Sequence, residues 1–143
     1  MSKNCRFAVA VHIGAVLARF PDRAVTSDWI AGSVNTNAVV VRRILAALNR
    51  AGLVCSQRGM AGGSMLARPA DSVTLLEIQR AVEEEPQPAL PRQSPNPDCP
   101  VGAHIVPVLT EILSRADAAH DAVLAEIRLS DVVEALAGRR KSA

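Results

Sequence analysis

Thr26-Ser27-Asp28-Trp29-Ile30-Ala31-Gly32-Ser33-Val34-Asn35-Thr36-Asn37-Ala38-Val39-Val40-Val41-Arg42-Arg43-Ile44-Leu45 is the stretch on which the fold turns. Thr26 places a hydroxyl where a helix N-cap accepts a backbone N–H. The short helix it opens runs Ser27 to Ser33, buries Ile30 and Ala31, and leaves Val34 in a turn. Asn37 is a second N-cap, and Ala38 to Ala51 reads as a longer helix. Val41, Ile44, Leu45 and Leu48 recur at helical spacing and form its buried stripe. Val39, Arg42, Arg43, Ala46 and Arg50 fall on the opposite or flanking faces. Gly52 ends the helix in the position where a left-handed residue closes the last turn.

Upstream, Arg6 to Arg19 reads as a helix with Phe7, Val11, Ala15 and Ala18 on one face. Phe20-Pro21-Asp22 stops it, because proline cannot continue the hydrogen-bond ladder. Downstream, Leu53 to Arg58 alternates like a strand and Ser64 to Ala67 is a second short one. The Gly59-Met60-Ala61-Gly62-Gly63 turn between them makes a hairpin. Its alternation sends Cys55 inward, toward the core. Thr74-Leu75-Leu76-Glu77 is a capping box, with Val73 and Ile78 as its hydrophobic staple, opening a helix that runs to about Glu84.

Residues 85–100 hold six prolines and read as a linker loop. Beyond it, Ile105, Leu109, Ile112, Ala116, Ala119, Val123 and Ile127 recur every three or four residues, a long amphipathic helix. Pro107 predicts either a kink or a late start. Ser130 reads as the cap of a short last helix, Asp131 to Leu136, and Arg139-Arg140-Lys141 as a frayed tail. The expected division is therefore 1–84, 85–100 and 101–143.

The chain has 143 residues, 49% of them apolar, enough for one real core. Aromatics are Phe7, Phe20 and Trp29, with no Tyr, which argues against stacking platforms for single-stranded nucleic acid. No apolar run reaches the ~18 residues of a membrane span, and no signal peptide is recognised, so the expected place is the cytoplasm, with no membrane partner. The net charge of +2 conceals an asymmetry. Residues 1–68 carry nine Lys+Arg against two Asp+Glu, a balance of +7; residues 69–143 carry seven against twelve, a balance of −5. A basic front half suits a polyanion.

Helix, capped short helix, tight turn, capped longer helix and Gly-rich hairpin, in that order, make a winged helix-turn-helix. The fold class is mainly α with a small β-hairpin wing and a long C-terminal dimerisation helix. In this arrangement the second helix of the pair enters the major groove. Asn37 and Arg42 can read base edges with paired hydrogen bonds. Arg43, Arg50 and Arg58 can neutralise phosphates, and Lys3 and Arg6 can grip the backbone. Thr26 and Val39 complete the candidates on the helix pair, and Gly59, Gly62 and Gly63 let the wing approach closely. The competing reading is a winged-helix module that docks an acidic protein without reading DNA; a steep salt slope on duplex DNA separates the two. A thiol enzyme built on Cys99 lacks a convincing base partner in the sequence, so an enzyme is not expected.

Arg6-Phe7-Ala8-Val9-Ala10, residues 33–45, Ala51-Gly52-Leu53-Val54, Arg58 to Gly63, Leu66 to Pro69, Thr74 to Ile78 and Cys99-Pro100-Val101-Gly102 together resemble the Rrf2 family of bacterial transcription regulators, in the family's order. The resemblance implies a homodimer with two winged domains, a long helix crossing to the partner, a near-palindromic duplex operator and, for most members, repression. Iron–sulfur members carry three clustered cysteines before the long helix. This chain has Cys99 alone there, and Cys5 and Cys55 do not match the ligand positions, so it resembles the cluster-free branch and neither a cofactor nor a metal site is expected. Ala61 and Ser64 also depart from the family's wing, where a glycine and an aromatic are common. Cys99 is the candidate sensor thiol: backbone amides at a turn would favour its thiolate and its oxidation. Ile105, Leu109, Ile112, Ala116, Ala119, Val123 and Ile127 are the candidate dimer face, and the alanines of this helix permit close approach.

Overall fold

The computed structural model describes residues 5–59, 62–83 and 90–142, with the backbone alone for 140–142. Lys3, Met60, Ala61 and the first part of the expected linker lie outside the described residues. The elements are α1 (Cys5–Arg19), α2 (Ser27–Val34), α3 (Ala38–Arg50), β1 (Val54–Gln57), β2 (Gly63–Leu66), α4 (Leu75–Val82), α5 (Ile105–Glu126) and α6 (Leu129–Ser142), with a 3-10 turn at Ala70–Ser72 before α4. None of the described helices is long and apolar enough to cross a membrane.

The three caps expected from sequence each take their hydrogen bond. Thr26 Oγ1 accepts from the Trp29 N–H at 3.1 Å, Asn37 Oδ1 from Val40 at 3.0 Å, and Thr74 Oγ1 from Glu77 at 3.2 Å. Each satisfies a donor that the first helical turn would otherwise leave open. Asn35 ends α2 in the left-handed region, φ 64° and ψ 51°, a conformation asparagine tolerates better than most residues. Both its N–H and that of Thr36 return to the Ala31 carbonyl, at 2.9 and 3.0 Å. That closure lets α3 follow α2 with only three residues between them.

The core gathers around α1, which packs on α2, α3, α4 and α6. Ile13, Leu17, Ile30, Val41, Ile44, Val73 and Val82 are almost wholly buried, each contributing roughly 1.5–3 kcal/mol by leaving water. β1 and β2 pair antiparallel from Val54↔Leu66 to Gln57↔Gly63. A bridge from Val25 to Ser64 fastens the hairpin to the segment before α2, with N–H to O distances of 2.9 and 2.8 Å in the two directions.

Several expectations are corrected. Cys55 is exposed: of β1, Val54 alone is buried and the strand then runs beyond the core. The last helix starts at Leu129 and not after a Ser130 cap; the Asp131 carboxylate accepts the Arg128 N–H at 2.8 Å and so caps it from within. α6 continues to Ser142, so the backbone of Arg139-Arg140-Lys141 is helical rather than a frayed tail. Pro107 is the third residue of α5, in the first turn, where a missing N–H removes no helical bond. Ile127 lies past the end of α5 and packs against the core, so it is not part of the α5 stripe. Its carbonyl accepts the Leu75 N–H at 2.9 Å, and the Leu129 N–H donates to the Val73 carbonyl at 2.8 Å. These two bonds flank a bridge between Thr74 and Arg128.

The described residues form two compact units, one up to Glu83 together with those from Leu124 onward, the other between them. The first is the winged helix closed by α6. The second contains the turns at 97–104 and most of α5.

Candidate nucleic-acid interface

α3 divides its side chains cleanly. Val41, Ile44, Leu45, Ala47 and Leu48 face the core. Val39, Arg42, Arg43, Ala46, Asn49 and Arg50 are exposed, at spacings that place them on one face. Val39 is half exposed although apolar. In a major groove such a side chain meets thymine methyl groups. From Trp29 through Ala70 the chain carries five arginines and no Asp or Glu, so neither this face nor the wing strands present a carboxylate to a phosphate.

The wing stands beside α3 and the two enclose a cleft of about 510 Å³. Arg42 and Arg50 line it from α3, Ser56 and Gln57 from β1, and Ser27 from the start of α2. Two strong cations are thus brought together with small hydroxyl and amide donors, the composition that phosphate and base-edge contacts use. Asn49, Ser56, Gln57 and Ser27 were not among the sequence candidates. Asn49 sits seven positions after Arg42, two helical turns on, and that spacing is the signal that could have found it.

The remaining candidates divide. Arg43 and Arg58 are exposed. Asn37 and Thr26 spend a side-chain acceptor on capping, which fixes where α3 and α2 begin. Arg6 Nε donates to the Val82 carbonyl at 3.0 Å and closes the end of α4, so its first role is structural. Arg68 is likewise occupied, by an ion pair with Glu77 at 3.1 Å and a hydrogen bond to the Ser72 carbonyl. The wing glycines serve the wing itself. A Cβ on Gly62 would lie 2.7 Å from the Gly59 carbonyl oxygen, and one on Gly63 would lie 2.5 Å from that of Val25. Gly59, at φ 106°, is needed for the turn.

In the second unit Cys99 is exposed. Hydrogen bonds from the backbone N–H of Gly102 and then of Val101 hold its thiol below the ordinary range. On α5, Ile112 and Val123 are more than half exposed, Ala116 and Ala119 are exposed, and Ile105 and Leu109 are half-buried.

The Rrf2 family, described as iron-dependent transcriptional regulators, matches residues 3–135. YwnA of Bacillus subtilis (strain 168), an HTH-type transcriptional regulator by name, is 40% identical over 133 residues, covering 93% of this chain and 98% of YwnA. A solved structure of a protein described as DNA-binding shares 36% identity at a TM-score of 0.72, over 89% of this chain and 97% of its own. CymR, the global cysteine regulator of B. subtilis, has the same fold at 24% identity and a TM-score of 0.70, over 94% and 95% of the two chains. Among the described residues no three His, Cys, Asp or Glu side chains are grouped to hold a metal ion. Cys5 stands on α1, Cys55 on β1 and Cys99 in the turns before α5. The match across nearly the full length, with the capped helix pair and the wing it predicts, makes the chain a member of the Rrf2 family of transcriptional regulators, DNA-binding proteins and not enzymes.

Proposed function

We propose that the protein is a homodimeric repressor of a near-palindromic operator, working in the cytoplasm without a resident metal or cluster. The carboxylate-free face of α3 beside the wing cleft carries this reading. Two copies joined along α5 would present two reading helices about 34–36 Å apart, or a multiple of that, on one side of the duplex. Such occupancy excludes polymerase from overlapping promoter DNA, and repression needs nothing more. Selection of bound duplexes from a random pool tests the reading: enriched inverted half-sites are expected, and an unenriched pool contradicts it.

Arg42→Ala should cost roughly 1–3 kcal/mol of operator affinity and relax preference at one base position in each half-site. Equal loss on all duplexes would assign Arg42 to a phosphate instead.

Cys99 is the proposed point of modulation. Its thiolate attacks hydrogen peroxide; the O–O bond breaks, water leaves after protonation, and sulfur is oxidised to a sulfenic acid. Because the folded thiol titrates below an ordinary one, its thiolate persists to lower pH. Alkylation of Cys99 by iodoacetamide, followed by peptide mass, should rise at lower pH than that of a free cysteine thiol. Oxidant-dependent release from the operator should vanish in Cys99→Ser. Release that survives that substitution removes Cys99 from the mechanism.

A further inference from the structure

A second cavity lies away from the reading face, in the first unit, where α1, α2 and α6 meet. It is a groove of about 660 Å³, within the size range of small-molecule sites. Its walls are mainly apolar, and Trp29 and Leu136 expose half of their surface beside it. Phe20 meets Trp29 edge-to-face, ring centres 5.4 Å apart and planes at 86°. Arg23 stacks its guanidinium over Phe20 at 4.5 Å from the ring centre, which adds a cation–π contact to that ring. So two of the chain's three aromatic rings are set rigidly at one place.

The polar groups in the groove are as particular as the apolar ones. His12 Nε2 and Ser33 Oγ lie 2.9 Å apart and join α1 to α2 across the groove. Arg19, the last residue of α1, lines the same space. Among the described residues the lining includes no Asp or Glu. An apolar slot with aromatic walls, a hydroxyl–imidazole pair and a guanidinium matches a ligand with a flat apolar body and one carboxylate. The guanidinium fork pairs with a carboxylate in two-point geometry, and the rings take the body.

We propose that this groove binds a small aromatic or arylalkyl carboxylate. Two of its lining side chains, Trp29 and Ser33, belong to the helix that precedes the reading helix. A ligand held there touches the element whose placement sets α3. That regulatory consequence rests on the operator-binding reading; the binding does not.

Trp29 is the chain's single tryptophan, so its emission reports the site. The full chain is titrated with 4-phenylbutyrate, exciting at the red edge of indole absorption, and then with the neutral 4-phenylbutanol. A saturable change is expected, with the acid binding about tenfold more tightly than the alcohol. Arg19→Gln should bring the two affinities together, and Ala15→Phe, which fills the groove, should abolish saturation. Sedimentation run alongside follows the oligomeric state. No saturable change, equal affinity for acid and alcohol in the native chain, or a signal that tracks dissociation of a dimer overturns the proposal; the last would mean that a second copy fills the groove. Operator affinity is then measured with and without saturating acid. Failure to bind any operator at all counts against the DNA reading and leaves the emission result standing on its own.

Discussion

In the proposed homodimer, Ile112→Glu should separate the two copies and lower operator affinity by about 10²-fold or more. Val108 and Ile112 are each 52% exposed on α5 and Val123 is 56% exposed, so the isolated chain gains little from them. Burial of such a stripe against a second copy gains roughly 25 cal/mol per Å² of apolar surface. A glutamate in both copies would place two charges in that seam, where an unpaired carboxylate is costly to desolvate. The fold of each chain should survive, since the altered side chain faces water in the monomer. Operator affinity falls because the second half-site is no longer tethered to the first, and tethering of this kind is worth about 10²–10⁴ in affinity. Sedimentation gives the mass and a salt-controlled titration gives the affinity. A variant that stays dimeric and binds as before would move the interface off this face of α5.

Leu129→Ala should cost about 2–5 kcal/mol of stability, the range for emptying a closed leucine site. Leu129 is 0% exposed. Its two methyl groups would lie 3.1 and 3.2 Å from a Cβ on Gly14, so the absent side chain of that glycine is the space the leucine fills. Denaturant unfolding followed by circular dichroism measures the loss. A Cβ placed at Gly14 would enter the same space from the other side, and the neighbouring methyl groups would have to shift by a few tenths of an ångström. A loss under about 1 kcal/mol for Leu129→Ala would show that α6 adds little to the winged domain.

What could be read from the sequence was what a few consecutive residues decide. Thr26, Asn37 and Thr74 cap their helices because a cap needs only its own side chain and an N–H three residues on. The α3 stripe was legible for the same reason. Ile127 and Leu129 were not: helical spacing continued the α5 pattern through Ile127, while pairing with Val73 and Leu75, more than fifty residues away, ends it there. Cys55 failed because alternation tells which strand positions share a face, not whether anything covers that face. The candidate interface was half legible. Arg42 and Arg50 came from the helix period alone, whereas Ser56 and Gln57 join them only once the Val25–Ser64 bridge sets the wing beside α3.

That bridge has a thermodynamic consequence for recognition. A free two-stranded hairpin is marginally stable in water, and one ordered only by its target would lose its conformational freedom in the act of binding. Here β1 and β2 are held to the segment before α2 by a reciprocal pair of backbone hydrogen bonds, so that freedom is lost when the chain folds. In the proposed complex the strands of the wing would meet the duplex already in shape. Association should therefore lack the large entropy deficit of coupled folding, and what distinguishes one operator from another falls to side chains and to the deformability of the DNA.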